Sequence, residues 1–431
     1  MKRFNQVLLF FILSIFNTFL FAQHKVIQIQ NDVTRLDFKT EGRYTQIDYS
    51  GAYPVIKQPN PGHPELPIIS YRLIVREGAS VSSVEIIGIT ETELPGNYYL
   101  YPAQQQFAIG EERVFTPPDL QIYQQNEKYP ATLVRHAHTG NFGGHRIASF
   151  LVYPLRYNPV TQKLYFYEEI TFRIRYSTGA VETIRPERLF KQDQARFEGV
   201  VRRMVANPEE VTQYRPVIEQ TRVSGNLEFS QVPSAEGLGV RYLVITSDAL
   251  APAFEPLVEF KNTTGTTAEI RSLEWIKANT HPGVDDAETI RNFIKWAYQK
   301  WGTQYVLLGG DTGIIPTRMV YSNTMTVSTD MYFSDLDGSW NYDGDSRFGE
   351  VEDSLDYYPE MFVSRAPVHS AAEASNFVNK TLTYLKAENF PSGYTTGMLT
   401  IGADLWSQGD GGEFCEFVTD SVPAYINKTT L

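Results

Sequence analysis

Between Asp330 and Asp356 the chain carries nine carboxylates, Asp330, Asp335, Asp337, Asp343, Asp345, Glu350, Glu352, Asp353 and Asp356, against a single base, Arg347. Like charges at that density repel one another unless a cation holds them together. Within this stretch, Ser339 to Glu350 follows the twelve-residue calcium loop at its third position with Asn341, its fifth with Asp343, its sixth with Gly344 and its twelfth with Glu350. Ser339 stands at the first position, where an Asp is usual, and Asp335 or Asp337 could supply the missing oxygen. Hard oxygen ligands in a loop suit a hard cation, so Asp335, Asp337, Asn341, Asp343, Asp345 and Glu350 are the expected ligands of a structural Ca²⁺. A solvated acidic loop is the plainer alternative.

Covalent chemistry has fewer candidates. Cys415 is the one cysteine, which excludes an internal disulfide framework and every multi-cysteine zinc site. It lies between Glu413 and Glu416, whose charges disfavour a thiolate. Of the seven histidines, His24, His63, His136, His138 and His145 fall in the N-terminal part. His281 precedes Pro282 in a loop and His369 starts a helix, and their sequence neighbours suggest no orienting partner for either. No HExxH, GxSxG or phosphate-binding glycine loop occurs. No catalytic residue is assigned.

The elements that must position these residues divide the chain into four stretches. Residues 1–22 pair Lys2 and Arg3 with an apolar run from Val7 to Ala22, the pattern of a cleaved signal peptide; the run is too short and interrupted for a spanning helix. The mature protein is therefore expected to be secreted or at the cell surface, with no membrane span after cleavage. Residues 23–178 read as a β-rich domain, an antiparallel sheet or sandwich. Ile147 to Leu155 forms one strand, and Ile170, Phe172, Ile174 and Tyr176 alternate with Thr171, Arg173 and Arg175 in another. Residues 179–239, where charge and proline accumulate, read as a linker whose Arg202-Arg203 pair would suit a processing cut or simply be solvated.

From residue 240 to 431 strands alternate with helices, which implies a mainly parallel sheet covered on both faces. Tyr242 to Ile245, Ala268 to Leu273, Tyr305 to Leu308, Glu360 to Val363 and Met398 to Ile401 are the expected strands. The clearest helix is capped by Asp285 and buries Ile290, Phe293, Ile294, Ala297, Tyr298 and Trp301. Another, boxed by Ser370 and Glu373, buries Ala374, Phe377, Val378, Thr381, Leu382 and Leu385. The sheet reads as unfinished within this chain.

Length, composition and charge agree with such an organisation. The 431 residues, 42% of them hydrophobic, suffice for two or three domains. A net charge of −12 gives no electrostatic reason to bind nucleic acid or an anionic membrane. The 26 Tyr and 26 Phe suit many half-buried strands.

The order of parts resembles the gingipain family of secreted cysteine endopeptidases. The resemblance lies in Gly62-His63-Pro64-Glu65-Leu66-Pro67 and the hairpin ending at Tyr176, and in Tyr242 through Gly265. It continues in Tyr305-Val306-Leu307-Leu308-Gly309-Gly310-Asp311 with Ile315-Pro316, in Tyr332 to Gly338, and in Val363-Ser364-Arg365-Ala366-Pro367. It implies a signal peptide, a β-rich propeptide that packs on its own catalytic domain, and a caspase-like α/β domain that cleaves proteins or peptides and uses calcium. It also implies that the catalytic His, in a Gly-His-Gly segment, and the nucleophilic Cys lie beyond residue 431, so that this stretch alone is inactive. Two other readings stay open: a secreted calcium-binding interaction module, and the related sortase-like peptidase of a secretion system.

Overall fold

The computed structural model describes residues 24–105, 114–178, 184–187, 190–215, 239–279, 282–322, 325–353, 355, 357–386, 396–400, 418, 422 and 426–430. The signal-peptide segment, His281 and Cys415 lie outside them.

The N-terminal part is built from antiparallel strands. These are β1 (His24–Gln30), β2 (Leu36–Glu41), β3 (Tyr44–Tyr49), β4 (Val55–Lys57), β5 (Pro67–Ile74) and β6 (Ala79–Glu93), then a single helical turn α1 (Leu120–Tyr123). After it come β7 (Val134–Phe142), β8 (His145–Val152), β9 (Leu155–Asn158) and β10 (Lys163–Thr178). One sheet runs β1-β10-β6 with β9 beside β10, a second runs β4-β5-β8-β7, and β2 pairs with β3. The alternation read from the sequence holds: Ile170, Phe172 and Ile174 are buried, while Arg173 and Arg175 face outward toward Glu85. Phe172 meets Tyr71 and Phe150 of the second sheet at ring separations of 6.4 and 6.0 Å. One apolar core thus joins the two sheets as a sandwich. The single strand expected over Ile147 to Leu155 is two, because Tyr153 and Pro154 interrupt the ladder between β8 and β9.

Residues 179–239, read as a linker, contain helix α2 (Lys191–Met204) and a short 3₁₀ turn at Pro208–Glu210. Phe197, Val201, Val205 and Val211 from this stretch are buried with Ile74, Phe142 and Ile147 of the sandwich and Tyr358 of the C-terminal part. Arg202 and Arg203 occupy the last turn of α2, and Arg202 donates to Pro208 O and Thr212 Oγ1, so the pair is helical and not a free loop.

The C-terminal part contains β11 (Tyr242–Thr246), α3 (Ala251–Thr263), β12 (Ala268–Ser272), α4 (Leu273–Asn279), α5 (Asp286–Trp301) and β13 (Tyr305–Gly309). There follow β14 (Arg318–Ser322), β15 (Met325–Thr329), β16 (Phe362–Ala366), α6 (Ala371–Lys386), β17 (Gly397–Thr400) and β18 (Asn427–Thr430). Strands β12-β11-β13-β16 form a four-stranded sheet with every pairing parallel. Alternate residues of β11 serve its two faces. Leu243 and Ile245 pack with Ile276 of α4 and Ile290, Phe293 and Ile294 of α5, whereas Val244 packs with Phe254 and Leu257 of α3 and Ala374 and Val378 of α6. This is the fold class expected, a β-rich part followed by an α/β part with a mainly parallel sheet.

Some boundaries differ: Leu273 opens α4 instead of ending β12. Glu360 precedes β16 instead of starting it, and Leu385 is exposed on α6 because the covered stripe of that helix centres on Ala374 and Val378. Among the described residues no helix is long and apolar enough to cross a membrane.

Candidate functional site

Helix α5 and the β14–β15 hairpin hold the acidic loop. Asp285 caps α5 by accepting from Glu288 N at 2.9 Å, and its carboxylate is also forked by Arg318 of β14 at 2.7 and 2.9 Å. Burial pushes that carboxyl upward, but the Arg318 fork and the cap bond outweigh it and hold the group below the usual range. Nearly two turns further along α5, the buried Arg291 donates to the carbonyls of Tyr332 (2.9 Å), Asp335 (2.7 Å) and Gly338 (2.9 Å). A guanidinium engaged with backbone in this way fixes the path of the loop while leaving its carboxylates to other partners.

The six residues expected to bind one cation fall into two places. Asp335 and Asp337 join Glu360 in an interior cluster whose carboxylate oxygens lie within 4.8 Å of one another. Asp335 is 0% and Glu360 1% exposed. Glu360 accepts from Leu336 N at 2.7 Å and Asp337 from Asn141 Nδ2 of β7 at 2.5 Å, while both Asp335 oxygens lack any hydrogen-bond partner. Burial, then the charge of Asp337, pushes the Asp335 carboxyl up to about 6, and burial likewise raises Asp337.

The other place is the exposed turn. Asp343, Asp345 and Glu350 have carboxylate oxygens within 4.8 Å of one another. Asp343 accepts from Asp345 N (3.2 Å) and Asp345 from Arg347 N (2.5 Å). Asn341 donates to Asp345 O at 2.9 Å, and its Oδ1 is shielded from water without a partner. Gly344 has φ +74°, which the turn requires and a β-carbon would strain. Burial, then Asp345, raises the pKa of Glu350.

Two contributors escaped the sequence reading. Glu360, taken for a strand residue, is the third carboxylate of the interior cluster. Asp353, counted only as charge, is buried and closes the turn by accepting from Tyr342 N (2.5 Å), Gly349 N (2.8 Å) and Glu350 N (3.2 Å). The Pro-Glu step just ahead of an apolar strand was a usable signal for the first; nothing local marked the second. Both groups offer only oxygen donors, which fits a hard cation and not a soft one.

His369 also differs from expectation, since it does have an orienting partner. Its Nδ1 lies 2.8 Å from Asp311 Oδ2, while the ring itself is 75% exposed. Asp311 follows β13 and His369 follows β16, so the pair sits beyond the C-terminal ends of adjacent parallel strands, where open α/β sheets hold ligand groups. The described residues include no thiol, so no nucleophile is assigned to this imidazole.

The N-terminal part packs against the opposite ends of those strands. Asp193 of α2, wholly buried, is forked by Arg241 just ahead of β11, with Nε to Oδ2 at 2.7 Å, and accepts from Tyr305 Oη at 3.1 Å. Phe197 stacks on Phe362 at 5.0 Å, and Phe362 on Tyr305 at 5.4 Å. Ser149 Oγ lies 2.8 Å from Tyr358 Oη, and Gly143 N donates to Pro359 O at 3.3 Å.

Comparison with known proteins adds a family. The model described as peptidase family C25 matches residues 236–431, and that described as the C25 propeptide matches residues 18–211. Gingipain R1 of Porphyromonas gingivalis is 25% identical over 369 residues, covering 82% of this chain and 32% of that protein. Lys-gingipain HG66 of the same organism is 23% identical over 405 residues, covering 92% of this chain and 21% of that protein. The chain thus spans a third or less of the length of these relatives. Among solved structures, the complex of Porphyromonas gingivalis RgpB pro- and mature domains matches at 19% identity, covering 43% of this chain and 92% of that one, with a TM-score of 0.35. Dimeric latent PorU from Porphyromonas gingivalis matches at 14% identity, covering 84% of this chain and 38% of that one, with a TM-score of 0.28.

Proposed function

Because the chain belongs to peptidase family C25, with propeptide and peptidase regions in succession, we propose that it is the N-terminal part of the precursor of a secreted gingipain-like cysteine endopeptidase acting on proteins or peptides. The sandwich and α2 form the prodomain, and residues 240–431 form the first part of the catalytic domain. The observation that carries this reading is the order of the two family regions combined with the packing of the sandwich and α2 onto the parallel sheet. The N-terminal sequence Met1 to Ala22 supports export.

The chemistry is attack of a thiolate on the peptide carbonyl, with an imidazole as acid and base and backbone donors for the oxyanion. Gly-His-Gly does not occur in the 431 residues, so no catalytic residue is assigned, and the expectation is that this stretch alone does not hydrolyse peptides. What the described residues contribute is the sheet, the loop that α5 holds in place, and the docked prodomain.

Calcium is proposed as a structural cation. Asp343, Asp345 and Glu350 with Asn341 would hold it at the exposed turn, and Asp335 and Asp337 with Glu360 offer a second set of oxygens. Bound there, it would add to the partial neutralisation that Arg347, Arg291 and Lys295 give these carboxylates.

Reading the coding sequence downstream of codon 431 tests the peptidase assignment. A Gly-His-Gly segment and a later strand followed by Cys are expected. A stop codon in their place favours the secreted interaction module.

A further inference from the structure

The β7–β8 hairpin is the part of the sandwich that meets the α/β part, and it carries His136, His138 and His145. His145 is 1% exposed, and neither of its ring nitrogens makes a well-formed hydrogen bond; the backbone of Phe142 and Gly143 is its nearest polar company, and burial outweighs it. A neutral imidazole is costly in such a place; an imidazolium, with two donors and a charge, is far costlier. The neighbouring turn lies directly under α2: a β-carbon on Gly143 would come within 2.3 Å of the Phe197 ring, the same ring that stacks on Phe362. The charged groups facing His145 are Glu198 of α2 and Arg215 beyond it. These two are forked to each other at 2.5 and 2.9 Å, so their fields largely cancel at the imidazole.

His138 sits at the other contact. Its ring lies 5.3 Å from that of Tyr358, and its Nε2 is shielded from water with no partner. Its charged and titratable neighbours are His136 and Arg72 on the sandwich side, and the Tyr358 ring on the other. His136 itself meets Thr139 Oγ1 through Nε2 at 2.8 Å.

We propose that protons gate the docking of the N-terminal part on the α/β part: the buried imidazole of His145 under α2 and the half-buried one of His138, whose Nε2 is shut from water against Tyr358, must be neutral for the two parts to seat. Acid charges them and parts the contact. Burial, ahead of every other influence, depresses the pKa of both rings below the ordinary histidine value of 6.5. For a base depressed in the docked state, the undocked state binds more protons. The docking contribution is therefore complete above 6.5 and is lost as pH falls below it. The proposal rests on the observed packing and holds whatever chemistry the chain performs.

Amide hydrogen exchange on the full chain at about pH 7.5 and about pH 5, corrected for intrinsic rates, tests it. Exchange in α2 and in residues 357–362 should quicken about tenfold or more in acid, with β10 in the sandwich core unchanged. The double variant His138→Phe with His145→Met keeps bulk without a titratable nitrogen and should abolish the acid effect. Should that variant not fold, His138→Phe alone should reduce the effect, and ring NMR of the wild-type chain should show His145 titrating below 6.5. Wild-type exchange that ignores pH, acid loosening of equal size in the variants, or a His145 titration at or above the ordinary value overturns the proposal.

Discussion

Asp335 is buried with two unpartnered oxygens beside two further carboxylates, while the guanidinium of Arg291 is engaged with backbone carbonyls. A neutral amide in its place needs no counter-charge, so Asp335→Asn should raise the melting temperature in chelator by removing a buried charge with no hydrogen-bond partner. Calcium should raise the melting temperature of the wild-type protein, and Asp343→Ala should remove most of that increase; identical melting curves with and without chelator would defeat the calcium proposal. The donor types were legible in the sequence because carboxylate spacing is local. Their division into two groups was not, since Glu360 reaches Asp335 through the placement of β16, and Asp311 meets His369 across 58 positions of chain.

At the scale of elements, α5 was read almost whole, because its cap, its apolar stripe and its stop all lie in one window. Asp285 caps it, the expected six stripe residues are buried, and Gly302 ends it at φ +69°. Asp285→Ala should lower stability by about 1 kcal/mol for the cap, with roughly 1–3 kcal/mol more for orphaning the buried Arg318. Denaturant unfolding measures the sum, and a loss below about 0.5 kcal/mol contradicts the role given to Asp285. Helix α2 was missed for the opposite reason. Its covered face includes Asp193 and Glu198 among Phe197 and Val201, and Phe190 at its N-cap makes no side-chain bond, so neither periodicity nor a cap announced it. Those buried acids are paired with Arg241 and Arg215 from outside the helix, contacts that exist only after tertiary folding.

For the molecule as a whole, the fork of Arg241 on Asp193 joins the N-terminal part to the start of the parallel sheet. Breaking one half leaves a buried guanidinium or carboxylate alone, so Asp193→Ala should cost about 3 kcal/mol or more. A double-mutant cycle with Arg241→Ala should show that most of this cost is coupling, and additive losses would mean the fork does not tie the two parts together. The succession of a β-rich part and an α/β part was legible from strand alternation and from apolar runs alternating with helical stripes. The docking surface was not, since its members, Phe142, Phe197, Tyr358 and Phe362, are drawn from three separate stretches of chain.

The account stands most directly on where peptide hydrolysis resides. The measurement is cleavage of an unfolded protein by the purified 431-residue chain in calcium and reductant, alongside its Cys415→Ala variant. No cleavage above background by either is predicted. Cleavage by the wild-type chain that vanishes in Cys415→Ala would contradict the account and make Cys415 the nucleophile.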